Sequence, residues 1–262
     1  MILRRITKHV KDQNWFAVGI DFVIVVIGVF IGIQVANWND ARTTAQDAQE
    51  ARASLIADLQ NDRDVYAVRR KFYLEVKEAS IAVEGTLDSE LPQSPDQQWE
   101  LIYDTVNAAS TWPFKPSGQV YDQLLNAGKL GLVSDTSIQR QMRDYYQDAA
   151  AEAGVTFKFD SDFRYASRKL IDWELHDYHA LGCGNIIGSD PSEILADNAR
   201  YFRECNTPDL PVEISRTASR LHASEPLHVD LRLHLSQLDT LLYFIEYLDD
   251  EAKTLIEELE GR

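Results

Sequence analysis

The chain has 262 residues, 45% of them hydrophobic and 10% aromatic, enough for one or two domains with a real core and too apolar for disorder. Its 42 acidic residues outnumber 26 basic ones, and the net charge of −16 argues against a nucleic-acid partner, because phosphate binding needs a basic face. Two cysteines exclude both a disulfide-dense scaffold and a four-thiolate zinc site.

Residues 1–14 make a basic N-terminus, with Arg4, Arg5, Lys8 and Lys11 against Asp12 alone. Residues 15–38 read as a transmembrane helix, and within them residues 22–33 carry no polar side chain. Trp15 and Trp38 lie 23 residues apart, roughly 35 Å on a helix, which suits anchors on either side of a hydrocarbon core. A cleaved secretory signal is the rival. It needs a shorter apolar region and a small-x-small site, whereas Ala36 has Gln34 before it and Asn37-Trp38 after it. A retained anchor fits better. By the positive-inside rule the N-terminus is cytoplasmic and residues 39–262 are exported, into the periplasm of a bacterium. Residues 1–40 hold four basic and three acidic side chains, leaving 22 and 39 for the rest, a net of −17.

Asp21 lies within or near hydrocarbon, where an unpaired carboxylate costs several kcal/mol. On a helix Asp21, Val25, Gly28 and Gly32 share one stripe, and Gly28 and Gly32 form a G-x-x-x-G pair that permits close helix approach. Two readings stay open. The stripe packs on a partner helix, or Asp21 sits at headgroup level with the span starting at Phe22. In the first case the partners are the lipid bilayer and either a second copy, giving a homo-oligomer, or another membrane protein.

The exported part, residues 39–262, reads as all-α. No proline or glycine interrupts residues 41–84, where apolar residues recur at spacings of three and four, so a long helix continues from the membrane segment. A helix over 97–109 follows, and then a turn at 111–118 whose Ser117 is placed to cap a helix over 119–127. Gly128 and Gly131 break the chain, Ser134-Asp135 starts a helix over 137–151, and residues 157–178 read as a further helix. Cys183 and Cys205 bracket an irregular region with a short helix near 192–202. In an oxidising space two lone cysteines usually pair, which favours a structural disulfide. The final helix, about 225–260, repeats Leu231, Leu238, Ile245, Ala252 and Leu259 at intervals of seven, with His234, Leu241, Leu248 and Leu255 three places on. Its stripe is wide, which favours a bundle core over a two-stranded seam.

No residue set here reads as catalytic, cofactor-binding or metal-binding. His176 and His179 share a helix face, but nothing completes a ligand set, and His222, His228 and His234 are six apart and diverge. Trp112, Phe114 and Tyr121 read as packing around the turn more readily than as a ligand pocket. Nucleophile motifs and phosphate-cradling glycine loops are not present in the sequence, and the carboxylates read as a solvated face.

The run VGIDFVIVVIGVFIGIQVANWNDAR resembles the N-terminal signature of a bacterial family of uncharacterised single-pass membrane proteins. The block SGQVYDQLLNAGKLGLVSDTSIQRQMRDYY, residues 117–146, is similar to a second block of that family. Ala36 and Asp21 stand where the family often has asparagine and glutamate. The resemblance implies an α-helical, membrane-anchored protein and carries no activity. More loosely, a basic N-terminus and one span with an aspartate near its cytoplasmic end resemble flagellar-stator and TolR-type proton-relay subunits. The reading is therefore a membrane-anchored interaction or accessory subunit assembling through its transmembrane and C-terminal helices. A proton relay using Asp21 and an unrecognised periplasmic hydrolase are the alternatives.

Overall fold

The computed structural model describes residues 15–149, 161–183, 200–203 and 205–261. All regular structure among them is helical: α1 (Trp15–Leu87), α2 (Pro95–Ala108), α3 (Gln119–Asn126), α4 (Leu130–Val133), α5 (Thr136–Arg143), a π-helical turn (Asp144–Ala149), α6 (Asp162–Leu170), α7 (Trp173–Gly182), α8 (Pro211–His222) and α9 (Glu225–Glu260). The chain divides into two compact units, Met1–Arg52 and Ala53–Arg262.

In the first unit α1 carries the apolar run. Its most apolar window has a mean hydropathy of 2.4, and none of that window is buried. One helix is therefore long and apolar enough to cross a membrane.

In the second unit the rest of α1 pairs with α9. Buried positions on α9 step by alternate fours and threes from Leu227 through Leu231, His234, Leu238, Leu241, Ile245, Leu248, Ala252 and Leu255 to Leu259. On α1 the same rhythm runs through Leu55, Leu59, Asp62, Tyr66, then Tyr73, Val76, Ser80, Val83 and Leu87, all buried, with half-buried Arg69 in register between them. These are two heptad seams. Their direction is set by ion pairs: Arg63 meets Asp249 at 2.8 Å, Arg70 meets Glu246 at 3.0 Å, Lys77 meets Asp239 at 2.5 Å, and Glu84 meets Arg232 at 3.7 Å. Partner numbers fall on α9 as they rise on α1, so the helices are antiparallel. Each exposed pair contributes about 0.2–1 kcal/mol, and the sign change from Arg70 and Lys77 to Glu84 penalises a slipped register. The α9 stripe thus serves the bundle core, as its width suggests.

Shorter helices close over the far end of the pair. Val83, Leu87, Trp99, Ile102, Phe163, Leu175, Ile214, Leu221, Leu227 and Leu231 form one continuous core cluster. α8 packs along α2, and α6 along α9. Local chemistry sets where these helices start. The Ser94 hydroxyl accepts from Gln97 N–H before Pro95 opens α2, Asp135 accepts from Ser137 and Ile138 N–H at α5, and Ser161 accepts from Arg164 N–H at α6. α3 ends on Gly128 at φ +65°, with Gly128 N–H donating to Leu125 O and Lys129 N–H to Leu124 O, a Schellman closure that needs the glycine.

Several expectations change. Ser117 does not cap α3: Gly118 holds that place without a side-chain bond, and Ser117 N–H donates instead to Asp62 Oδ1 at 2.7 Å. Gly131 lies inside α4 and breaks nothing. The helix expected over 137–151 becomes α5 plus the π-helical turn, whose wider winding brings adjacent Tyr145 and Tyr146 toward the core. The single helix expected over 157–178 divides at Ile171–Asp172, where the Asp172 carboxylate turns to Arg216 and Arg220 of α8. Residues 150–151, 157–160 and 192–199 lie outside the described residues, and residues 200–202 are not helical. α8 has no counterpart in the sequence reading, because its buried side offers only Ile214 and Leu221 as large apolar residues.

The register can be tested by charge exchange. Asp239→Lys sets two ammonium groups face to face and should lower stability by about 0.5–1 kcal/mol, and adding Lys77→Glu should restore most of it. Urea unfolding of the two single variants and the double variant would show additive losses if the pair were not in contact.

Candidate functional site

The stripe of α1 that carries the glycine pair lies on an open face. Asp21, Val25, Gly28 and Gly32 are all exposed, and a Cβ built on Gly28 or Gly32 would meet nothing within 4 Å. Of the two tryptophan anchors, Trp38 is 66% exposed, and the Trp15 side chain lies outside the described residues. The geometry that lets a second helix approach is present.

The second unit holds a polar cluster that sequence reasoning missed. Asp62, on the α1 seam, is 2% exposed. Its Oδ2 accepts from the Tyr145 hydroxyl at 2.9 Å, and Oδ1 accepts from Ser117 N–H. The Tyr145 and Tyr66 hydroxyls lie 2.7 Å apart. With Tyr145 donating to the carboxylate, Tyr66 is the donor in that pair, so the order is Tyr66 to Tyr145 to Asp62. One helical turn back, Asp58 Oδ2 accepts from Val120 N–H at 3.4 Å. Two carboxylates of α1 thus meet the amide-bearing N-terminus of α3, a stronger arrangement than the expected hydroxyl cap.

Burial pushes the Asp62 carboxyl up to about 6, although the Ser117 amide and Tyr145 hydroxyl oppose the rise. Burial likewise pushes the Tyr66, Tyr145 and Tyr146 hydroxyls up, so all three remain protonated. The Tyr146 ring stacks on Tyr121 at 4.7 Å, while its buried hydroxyl finds no hydrogen-bond partner among the described residues. Two clefts flank the cluster. One, of about 690 Å³, is lined by residues 115–119, Asp122, Gln123, Asn126 and Tyr146. The other, of about 390 Å³, is lined by Tyr66, Arg70, Glu246, Asp249 and neighbours.

His179, His222 and His234 each join separate parts of the bundle, whereas His176 Nε2 and His228 Nε2 are buried with no hydrogen-bond partner among the described residues. His179 Nε2 lies 3.0 Å from Asn107 Oδ1, His234 Nε2 lies 2.9 Å from Ala108 O, and both rings are buried. Ala108 O ends α2, so His234 must donate from Nε2, and with Arg164 bonded to Ala109 O the two residues cap that C-terminus from outside. His222 Nε2 meets Ser89 O at 2.8 Å. Among the described residues no group of three His, Cys, Asp or Glu could hold a metal ion. Trp112, Phe114 and Tyr121 pack as expected: Trp112 edges onto Phe72 with Arg69 over its face, and Phe114 edges onto Tyr66. A disulfide joins Cys183 to Cys205, and the Trp99 indole and Tyr103 hydroxyl donate to Cys205 O and Arg203 O beside it.

Burial holds the His234 imidazole down at about 4. Because the folded value is depressed, the stability from burying a neutral ring is complete above about pH 6.5 and is lost as pH falls toward 4. Replacing it in His234→Gln should make the loss on going from pH 7 to 4.5 smaller by about 2–3 kcal/mol. Urea titrations at the two pH values check this, and equal losses in both proteins would refute it.

The chain matches no protein-family model, no curated protein and no solved structure.

Proposed function

We propose that the chain is a single-pass membrane protein whose exported helical bundle acts as a non-enzymatic interaction or accessory subunit. The observation that carries this is the apolar stretch of α1, with a mean hydropathy of 2.4 and no burial at all. A soluble protein would hide such a stretch, because leaving it in water costs about 25 cal/mol per Å². The basic residues before it orient the N-terminus to the cytoplasm. The Cys183–Cys205 disulfide suits an oxidising compartment, the periplasm in a bacterium. This reading agrees with the resemblance of two sequence blocks to an uncharacterised single-pass family.

Association is assigned to the transmembrane stripe. The α9 seam is filled within its own bundle, whereas Gly28 and Gly32 present an unobstructed surface on α1. A second copy or another membrane protein would seat Val25 and the two glycines at the contact and shield Asp21 from hydrocarbon.

Two measurements test this. Protease added to spheroplasts should degrade the bundle and leave the N-terminus protected; the reverse pattern, or a chain released soluble after residue 36, would overturn the topology. The mass of the detergent-solubilised protein should exceed that of one chain, or a partner should co-purify. Gly32→Ile should reduce that association at least several-fold. A monodisperse, partner-free monomer would end the interaction reading.

A further inference from the structure

Asp62 occupies a seam position that the heptad would give to an apolar side chain, and among the described residues no cation is bonded to it. Arg63, its neighbour in sequence, turns instead to Asp249 of α9. The titratable groups that bear on Asp62 are Asp58 from α1 and Tyr145 from the π-helical turn. Tyr146 in that turn feels both carboxylates, and Tyr66 feels Asp62 together with Asp249. A buried carboxylate that lacks a counter-ion is costly, and its protonated form is not.

The hydroxyl chain accepts either state. With Asp62 ionised, Tyr66 donates to Tyr145 and Tyr145 to Oδ2. When Oδ2 carries a proton, the chain reverses: Asp62 donates to Tyr145, and Tyr145 donates to Tyr66, so both bonds persist in either state. A π-helical turn, a rare backbone form concentrated at functional positions, is what presents Tyr145 here.

From this arrangement we propose that Asp62 is a proton-binding site whose occupancy sets how firmly the 111–118 turn and α3 are seated on α1. The bound proton tightens the seat. Closing the turn strips water from the carboxyl, which penalises the ionised form and leaves the neutral form almost untouched. The amide of Ser117 is held by Oδ1 in both forms, but only the ionised form gains hydration when the turn lifts. With the closed-state carboxyl at about 6 against an ordinary 3.8, linkage makes lifting about tenfold easier at pH 7.5 than at pH 5. The inference rests on the bundle alone and stands whether or not the membrane reading does.

Hydrogen exchange of the full-length chain in lipid nanodiscs tests it, reading peptides over 111–126 at pH 5 and 7.5 after correction for intrinsic rates. The wild type should show an opening constant about tenfold larger at pH 7.5. Asp62→Asn should stay protected at both pH values. Tyr145→Phe removes a donor that favours the ionised form, so its rise should continue to higher pH before it levels off. Peptides from α9 report global unfolding and should not change in step. Equal corrected protection at both pH values in the wild type, or the same rise in Asp62→Asn, would overturn the proposal. If Asp62→Asn does not fold, the wild-type profile and the direction of the Tyr145→Phe shift decide the matter.

Discussion

The antiparallel seam between the outer part of α1 and α9 is the constraint on which the rest of the bundle depends. Neither helix could hold its apolar stripe in water alone, and within the bundle both stripes are buried, from Leu55 to Leu87 and from Leu227 to Leu259. Hydrophobic burial supplies the driving force, since each large side chain hidden contributes about 1.5–3 kcal/mol. It does not choose among registers, because a slide of seven residues would bury a similar set. The ion pairs from Arg63–Asp249 to Glu84–Arg232 make that choice, through their pattern of sign rather than their individual strength.

Polar residues set into the seam are where the shorter helices attach. Asp62 on α1 takes the Ser117 amide at the start of α3, and His234 on α9 gives its proton to Ala108 O at the end of α2. Each would be a liability in a two-helix structure, because a buried polar group without a partner costs about 1–3 kcal/mol. Each is satisfied by a helix terminus, which has unpaired groups of the opposite kind. An acid meets free N–H groups, and an imidazole N–H meets a free carbonyl. The two needs cancel only if α2 and α3 arrive in the right place, so these positions specify the bundle as well as stabilise it.

How much of this could be read from the sequence follows from that division. α9 is legible to its bounds because its seam is almost wholly leucine and isoleucine, broken only by His234 and Ala252. The long helix is legible because nothing interrupts it, but its seam is obscured: Asp62, Arg69 and Ser80 stand where the pattern requires apolar residues. The polar cluster was invisible for the same reason, although an aspartate three residues after Leu59 and four before Tyr66 was its signal. The division at Asp172 and the caps on α3 depend on partners over forty residues away, Arg216 and Arg220 in one case and Asp58 and Asp62 in the other, and local propensity carries no trace of them. The disulfide and the membrane-length helix needed only spacing and composition, and both are there.

The direction of the pairing has a mechanical corollary. Arg63 lies beside Asp249, so the last turns of α9 run back along the stretch of α1 where the chain enters the bundle. Tension applied between that entry point and the C-terminus would therefore pull at one end of a zipper. The rungs would part singly, Arg63–Asp249 first and Glu84–Arg232 last, each at small force. Had the two helices run parallel, the same pull would have loaded every rung in shear at once.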